Sequence, residues 1–210
     1  MSKIKSIGDE VKKYYKSGAL MCDTPYKNGK KDGVEKFYYE SGFIRWEAPY
    51  KNGKEEGIEK AYYEAGSIEC EIPYKNGKMH GIVKEYYKSG ALAAKYSYEK
   101  GTINGVEKHY YESGTLESVI QYKNGKQDGL VRKYYESGIL EYEEQYKKGT
   151  MHGIWKDYYE SGVLKWKTEY KNGNKDGIEK FYYQSGKIMS ISKYCKGILK
   201  DEIHYSKCMV

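Results

Sequence analysis

Hydrophobic and polar residues follow a pattern that repeats every 24 residues. In one copy, residues 33–56, two runs rich in β-branched and aromatic residues, VEKFYY and FIRWEAPY, are separated by Glu-Ser-Gly and followed by Lys-Asn-Gly-Lys. Runs of this length with turn residues between them are typical of two strands joined as a β-hairpin. Helices are not expected, because glycine returns too often for a helix longer than about three turns.

The two kinds of turn differ in their chemistry. Asn52-Gly53 suits a type I′ turn, in which both central residues need positive φ, and Gly42 suits the left-handed position that ends a short hairpin loop. The strand register stays open: a two-residue loop would pair Tyr39 with Ile44, whereas a three-residue loop would pair Tyr38 with Ile44. A slip of one residue exchanges the two faces of the sheet, so the pattern does not assign the faces.

Tyrosine and aliphatic residues recur at fixed places in the period, and we call the residues at one such place a column. Three columns hold 24 of the 27 tyrosines, namely the pairs from Tyr14-Tyr15 to Tyr182-Tyr183 and the single tyrosines from Tyr26 to Tyr194. Two columns that we expect to form the core are always aliphatic. They are Val34, Ile58, Ile82, Val106, Leu130, Ile154 and Ile178, and Leu20, Ile44, Ile68, Leu92, Leu116, Leu140, Leu164 and Ile188.

A strict period of this length indicates one small unit copied and stacked. A single hairpin buries too little apolar surface to offset its backbone entropy, so each copy must pack on its neighbours. The predicted fold class is all-β, an elongated single-sheet array of about eight stacked antiparallel β-hairpins. We divide it into an N-terminal lead-in at residues 1–9, eight repeats at residues 10–197, and a cap or swapped strand at residues 198–210.

The sequence also indicates where in the cell the protein is expected. The first nine residues lack the apolar stretch of a signal peptide, and the chain has no run of about 18 apolar residues. We therefore expect a cytoplasmic protein. The four cysteines, of which Cys22 and Cys70 share a column, do not form a disulfide framework, so reduced thiols are expected.

The pattern Tyr-Lys-Asn-Gly-Lys-x-x-Gly, then a strand, then Tyr-Tyr-x-x-Gly resembles the MORN repeat over about residues 10–197. It is most similar to the tyrosine-pair variant of bacterial proteins labelled YwqK-like antitoxin or immunity proteins. This resemblance implies an open sheet without catalytic residues that serves protein contacts, oligomerisation or, in some members, phosphoinositide headgroups. One departure is that Glu35, Glu59, Val83 or Trp155 stands where a MORN repeat usually has glycine.

Residues with catalytic or metal-binding chemistry are few and dispersed. His80 and His152 share a column three repeats apart, and His109 and His204 have no partners at ligand spacing. Serine recurs in the Ser-Gly hairpin turns, where it shapes the turn, and a nucleophile would need a base beside it. We predict no enzyme activity, no cofactor and no metal site.

Lysine is concentrated in the Lys-Asn-Gly turns of a chain whose net charge is +7. Such an edge attracts an acidic protein or anionic lipid, or it only guards strand ends against aggregation. Nucleic acid is not an expected partner, because acidic residues are dispersed throughout and no accepted motif is present. The candidate residues for an anionic ligand are Lys27, Lys30, Lys51, Lys54, Lys75 and Lys78.

A second lysine column lies within the strands, from Lys12 and Lys36 to Lys180. We expect its side chains to lie over neighbouring tyrosine rings, since alkyl packing and cation–π contacts suit a lysine in a strand. The remaining alternative is a polar stripe that grips carboxylates of a partner.

Two mid-strand columns vary most between copies, so their residues are not required for stacking. Repeat proteins recognise partners through such positions, and large aromatics are common anchors in interfaces. The alternative is that these side chains fill local gaps. The predicted partner-binding residues are Phe37, Trp46, Tyr142, Trp155 and Trp166.

The predicted function is a non-enzymatic scaffold that binds a protein, and the resemblance implies an antitoxin or immunity protein whose partner is a toxin. The alternative is a peripheral membrane module that binds anionic lipid headgroups through the lysine edge. An open sheet also presents unpaired edges, which allow end-to-end homodimerisation. Ile198, Leu199 and Ile203 are the candidates for that contact.

Overall fold

The computed structural model describes residues 4–7 and 9–205, and these residues form strands and turns without a helix. Twenty-four strands belong to one open antiparallel sheet. The predicted all-β class and the antiparallel hairpins are therefore confirmed.

By its internal contacts the chain divides into two compact units, Met1–Thr102 and Ile103–Val210. The first unit contains β1 Ile4–Ile7, β2 Glu10–Tyr14, β3 Leu20–Lys27, β4 Lys30–Lys31, β5 Gly33–Tyr38, β6 Ile44–Lys51, β7 Lys54–Glu55, β8 Gly57–Tyr62, β9 Ile68–Lys75, β10 Lys78–Met79, β11 Gly81–Tyr86 and β12 Leu92–Glu99. The boundary falls within β13 Thr102–Ile103. The second unit contains β14 Gly105–Tyr110, β15 Leu116–Lys123, β16 Lys126–Tyr134, β17 Leu140–Lys147, β18 Thr150–Met151, β19 Gly153–Tyr158, β20 Leu164–Lys171, β21 Asn174–Lys175, β22 Gly177–Tyr182, β23 Ile188–Cys195 and β24 Ile198–His204.

Both turn types follow from the sequence. The amide of Tyr39 donates to the carbonyl of Phe43 at 2.8 Å and the amide of Gly42 donates to the carbonyl of Tyr39 at 2.9 Å. Tyr38 therefore pairs with Ile44, which is the three-residue alternative. At the other end of the hairpin Asn52 and Gly53 both have positive φ, 50° and 82°, as the predicted type I′ turn requires.

Each of the eight repeat hairpins contains a β-bulge that the sequence pattern did not predict. Phe37 pairs with Trp46 and Tyr38 pairs with Ile44, so Arg45 is an extra residue on β6. The same register shift recurs in the other hairpins, for example between Asp157 and Tyr158. A bulge re-aims a side chain relative to the regular alternation of a strand.

The register assigns the two faces of the sheet. In each repeat one face carries the columns of Glu35, Phe37, Trp46, Ala48 and Tyr50, and we call it the aromatic face. The opposite face carries the columns of Val34, Lys36, Ile44, Glu47 and Pro49, and we call it the aliphatic face.

The core lies on the aromatic face. Every buried residue among those described belongs to three of its columns, those of Glu35, Trp46 and Ala48. Most are small, such as Ala48 at 0% and Thr168 at 1% exposure. Small side chains are buried there because they lie between larger ones on the same face, as Ala48 does between Trp46 and Tyr50.

The expectation that the Val34 column forms the core is wrong. Five of its members are between 38% and 54% exposed, namely Val34, Ile58, Ile82, Val106 and Ile154. The alternating pattern places one set of apolar side chains on each face of the sheet. Only the set on the aromatic face is covered, by the neighbouring aromatic rings. The Ile44 column, which was also assigned to the core, is half-buried.

In at least six of the eight pairs the second tyrosine bonds to the next repeat. The hydroxyl of Tyr39 donates to the carbonyl of Tyr62 at 2.8 Å, and that of Tyr63 donates to the carbonyl of Tyr86 at 2.8 Å. In the second unit Tyr135 bonds in the same way to the carbonyl of Tyr158, at 2.9 Å. These bonds, which we call tyrosine staples, explain why that column does not vary.

Both ends of the described chain add strands. Residues 4–7, within the predicted lead-in, form β1, which pairs with β2. At the C-terminal end β24 pairs antiparallel with β23. The assignment of residues 198–210 as a cap or swapped strand thus falls partly on β24 and partly, at residues 206–210, outside the described residues.

Candidate interaction surface

The first unit has a depression in its aromatic face beside a pair of large rings. Phe37 and Trp46 pair across β5 and β6, with ring centroids 5.2 Å apart and planes inclined by 60°. The next residue along this row is Ala61, which pairs with Trp46 from β8. Because alanine ends at its methyl group, it leaves a depression of about 470 Å³, lined by Phe37, Arg45, Trp46, Ala61 and Glu69.

A second depression of about 570 Å³ shares Ala61 and Glu69 with the first. Its lining adds Cys70, Ala93 and three tyrosines of the pair columns. We call the two depressions together the Ala61 groove. The other residues that line the second depression are Tyr63, Glu85, Tyr86 and Tyr87.

The β-bulge places charged side chains at this groove. Arg45 and Glu69 are the extra residues of β6 and β9, and both line the same depression as Trp46. The Arg45 guanidinium also lies 5.7 Å from the centre of the Tyr39 ring, within cation–π range. Arg45, Glu69 and Ala61 were not among the predicted binding residues. Variation in the bulge column was a usable signal, but its face was not evident without the register.

The second unit has a continuous aromatic cluster on the same face. Trp155 and Trp166 have ring centroids 4.8 Å apart in an edge arrangement, and Phe181 lies over Trp166 at 6.0 Å with planes 29° apart. Tyr142 and Tyr170 lie 6.4 Å and 6.0 Å from Trp155. Phe181 stands in the column of Ala61, so a ring occupies the place that is open in the first unit.

Hydrogen bonding fixes Trp166 further. Its Nε1 donates to Oε2 of Glu179 at 2.9 Å, and Glu179 is buried. Lys175 forms an ion pair with the same carboxylate and lies 5.4 Å above the Trp166 ring. The Nε1 of Trp155 is buried and has no hydrogen-bond partner among the described residues.

Two carboxylates, Glu35 and Glu59, stand at the same place in successive repeats of the first unit. Glu35 is buried and accepts hydrogen bonds from Thr24 at 2.8 Å and from Lys31 at 2.6 Å. One repeat later Glu59 has Glu55 where Glu35 has Lys31. Burial raises the pKa of Glu59, a hydrogen bond from Trp46 lowers it, and the charge of Glu55 raises it further, with a net increase.

The six candidate lysines of the turn edge, Lys27, Lys30, Lys51, Lys54, Lys75 and Lys78, are all exposed in the first unit. Beside them on the aliphatic face runs an apolar stripe. Three of its members are prolines, and the others are the exposed aliphatics of the Val34 column. The stripe consists of Pro25, Val34, Pro49, Ile58, Pro73 and Ile82.

Several members of the lysine column within the strands pair with carboxylates. Lys84 is 3.2 Å from Glu71, and Arg132 is 2.7 Å from Glu143. Burial alone would raise the pKa of Glu71, but hydrogen bonds from Lys84 and Tyr86 lower it below the ordinary value. The packing of this column's alkyl chains on neighbouring tyrosine rings stays a prediction.

Eight segments of the chain match the family described as "MORN repeat variant". They are residues 10–28, 31–52, 55–76, 79–100, 103–124, 127–148, 151–172 and 175–196. The chain belongs to the MORN repeat variant family. It is a MORN repeat scaffold, and MORN repeat proteins are generally non-enzymatic.

Other comparisons add little to the MORN repeat assignment. No curated protein matches the sequence significantly. Among solved structures, the crystal structure of a porin-like protein from Bacteroides uniformis is similar, with 11% identity over 96% of this chain and 91% of that chain. The TM-score of this match is 0.24.

The predicted partner-binding residues form two groups within the MORN array. Phe37 and Trp46 lie together at the Ala61 groove, and Tyr142, Trp155 and Trp166 lie together in the aromatic cluster of the second unit. Their role in binding stays a prediction. Ile198, Leu199 and Ile203 are exposed on β24, and end-to-end dimerisation through them likewise stays a prediction.

Metal-ligating chemistry is sparse in the part of the MORN array that the structure describes. No group of three or more His, Cys, Asp or Glu side chains there is arranged to hold a metal ion. His109 contacts Glu107 at 2.6 Å and His204 contacts Glu202 at 3.4 Å. Within the described ranges there is no helix long and apolar enough to cross a membrane.

Proposed function

We propose that this MORN repeat protein is a non-enzymatic scaffold that binds a protein partner through the Ala61 groove. The Ala61 groove supports this proposal, because its alanine floor lies beside the Phe37 and Trp46 rings. Half-buried aromatic walls around a small floor form the kind of pocket that receives an anchor side chain in protein interfaces.

The size and charge of the groove indicate the chemistry of the partner. A depression of about 470 Å³ accommodates an aromatic or branched aliphatic side chain. Arg45 and Glu69 lie at the same site with opposite charges, so a partner segment with an acidic and a basic residue flanking the anchor would complement it. The aromatic cluster of the second unit supports a further contact through Tyr142, Trp155 and Trp166.

The tyrosine-pair repeats resemble those of bacterial antitoxin or immunity proteins, and this resemblance supports a toxin as the partner, bound and blocked in the cytoplasm without catalysis. A blocking protein needs only a stable complementary surface, which a rigid sheet supplies.

A substitution that fills the groove tests this function. Ala61→Phe introduces a ring that the same column accepts as Phe181, so folding should be retained. Affinity pull-down from native lysate identifies the partner, and calorimetry with the purified partner measures its affinity. We expect binding to weaken at least about tenfold and protection against the partner's toxicity to be lost.

Ala19→Phe is the matched control, because its column carries the exposed Phe43 and Ala19 lies outside the groove. Unchanged partner affinity in Ala61→Phe would contradict the role of the groove. If the bound partner is not toxic, the antitoxin assignment is contradicted but the role of the groove is not.

A second candidate function is binding to anionic membranes, which the apolar stripe beside the lysine edge favours. Exposed Val34, Ile58 and Ile82 would enter the interface while neighbouring lysines contact headgroups. Cosedimentation with vesicles of phosphatidylcholine and phosphatidylserine tests it. Binding should fall with salt and be lost in Ile58→Asp, and no sedimentation at low salt would exclude it.

A further inference from the structure

One column at the lysine edge holds hydrogen-bond acceptors for the next turn, and we call it the capping column. Asp32 accepts a bond from the backbone amide of Asn52 at 3.1 Å, and Glu56 accepts one from the amide of Asn76 at 2.7 Å. In the second unit Asn104 accepts a bond from the amide of Asn124 at 3.2 Å. Asp128 accepts one from the amide of Lys148 at 3.3 Å.

Two repeats have histidine in the capping column, His80 and His152. The amides they would cap belong to Lys100 and Asn172, and neither amide has a hydrogen-bond partner among the contacts of the described residues. Both residues have nearly the same φ as the capped Asn52, 51° and 52° against 50°. Each amide therefore presents a free donor toward the place where a carboxylate lies in other repeats.

Lys100 and Asn172 each line a depression together with several cationic side chains. The first depression, of about 340 Å³, is lined by Lys75, Asn76, Lys78, His80 and Lys100. The second, of about 460 Å³, is lined by Lys147, Lys148, Thr150, His152 and Asn172. Neither lining contains a carboxylate, although carboxylates bond to neighbouring turns through Glu56 and Asp128.

A third depression at this edge is an internal control. It has a volume of about 250 Å³ and is lined by Lys171, Asn172, Asn174, Asp176 and Lys196. The turn geometry is the same, with Lys196 at a φ of 49°, but the capping column contributes the carboxylate of Asp176. The Lys196 amide also has no hydrogen-bond partner among the contacts of the described residues, so the negative charge of Asp176 is what distinguishes this depression from the two histidine sites.

We propose that the depressions at His80 and His152 are two binding sites for a phosphate-type oxyanion. The backbone amide of the turn, two or more lysines and the imidazole supply N–H donors to one anion, and charge-assisted bonds of this kind are the strong ones. The anion is either a free phosphate group or the headgroup of a phosphorylated lipid. The sites do not depend on the protein-binding function proposed above.

Nuclear magnetic resonance of the ¹⁵N-labelled full chain, titrated with sulfate and with inorganic phosphate at constant ionic strength and pH, tests the proposal. The amide signals of Lys100 and Asn172 should shift and saturate. Those of Asn52 and Asn76, which are capped, and of Lys196 beside Asp176 should not. Equal shifts at capped and uncapped turns would overturn the proposal, because they would indicate general screening of the lysine edge.

Substitutions within the column assign the sites. His80→Asp and His152→Asp restore the usual carboxylate, and each should weaken sulfate binding at its own site by at least about tenfold. The reverse change, Asp176→His, should create a saturable shift at the Lys196 amide. All three exchange residues that the column already accepts, so loss of fold is not expected. An unchanged Lys100 shift in His80→Asp would overturn the assignment.

Vesicles distinguish the two sources of the phosphate group. If vesicles of phosphatidylcholine with a phosphatidylinositol phosphate sediment the wild type but not the His80→Asp, His152→Asp double variant, the source is a lipid headgroup. If sulfate shifts the two amides and such vesicles do not bind, the source is a free phosphate group. No response to sulfate, phosphate or vesicles would refute both sites.

Discussion

The two units present the same aromatic face with opposite local character. In the first unit the Phe37–Trp46 pair borders an open groove over Ala61. In the second unit Phe181 occupies the corresponding column and lies over Trp166. One position in the repeat therefore decides whether a tryptophan lines a groove or is covered by another ring.

Similar aromatic residues therefore have different roles in the two units. Trp166 packs against Trp155 and Phe181 and donates a hydrogen bond to the buried Glu179. Trp46 also donates a hydrogen bond to a glutamate, Glu59, but it has Phe37 on one side and a depression on the other. We therefore expect Trp166 to contribute mainly to stability and Trp46 mainly to binding.

The largest expected effect is that of Trp166→Ala. It removes ring packing and leaves the Glu179 carboxylate without one of its donors, so the free energy of unfolding of the second unit should fall by about 3–4 kcal/mol. Trp46→Ala should cost about 1–2 kcal/mol, because one side of that ring faces the groove. Denaturant titration followed by circular dichroism measures both. Equal losses of unfolding free energy in the two variants would contradict the different roles expected for the two tryptophans.

The tyrosine staples should show no such difference between the units. Tyr63→Phe and Tyr135→Phe each remove the hydroxyl bond to the next repeat's carbonyl and should each cost about 0.5–1.5 kcal/mol. The same titration measures the loss. Tyr194→Phe is the control, because the hydroxyl of Tyr194 lies in the single-tyrosine column and makes no staple. A staple that costs nothing in either unit would show that it does not hold the repeats together.

Filling the groove should make the first unit resemble the second. In Ala61→Phe the new ring contacts Trp46, and we expect stability to increase by about 0.5–1 kcal/mol. Thermal unfolding measures the change, and the reverse substitution, Phe181→Ala, should destabilise. A clear loss of stability in Ala61→Phe would show that the groove is too narrow for an aromatic ring.

The smallest expected effect concerns the acidic pair of the first unit. Because burial raises the pKa of Glu59, ionisation disfavours the folded state, and stability is lost as pH rises through the folded pKa. Glu59→Gln should therefore raise the Tm at pH 7.5 by about 1–3 °C and leave it nearly unchanged at pH 4. The exposed Glu112→Gln is the control. An equal gain at both pH values would exclude ionisation as the cause.

Local residue chemistry predicted much of the fold. Asn52 and Gly53 were recognisable as a type I′ turn because few other residues accept positive φ at both positions. Gly42 marked the end of the second loop in the same way. The 24-residue period then implied stacking of neighbouring copies, because one hairpin cannot stabilise itself.

The candidate site was predictable only in part. Trp46 and Phe37 stood out as large residues in variable columns, but the groove beside them depends on Ala61, which has no conspicuous chemistry. Arg45 reaches the aromatic face only because of the bulge, and a bulge changes the register without changing the apolar pattern. For the same reason Val34 was assigned to the core although it is exposed.

The tyrosine staple also constrains how such a chain can change in length. The hydroxyls of Tyr39, Tyr63 and Tyr135 each reach a carbonyl 23 positions further along. Gain or loss of whole repeats by unequal recombination therefore restores such joints, whereas a shorter insertion misaligns the joint that spans it. Recognition positions can therefore be multiplied, shuffled or discarded in blocks while the joints between neighbours stay the same.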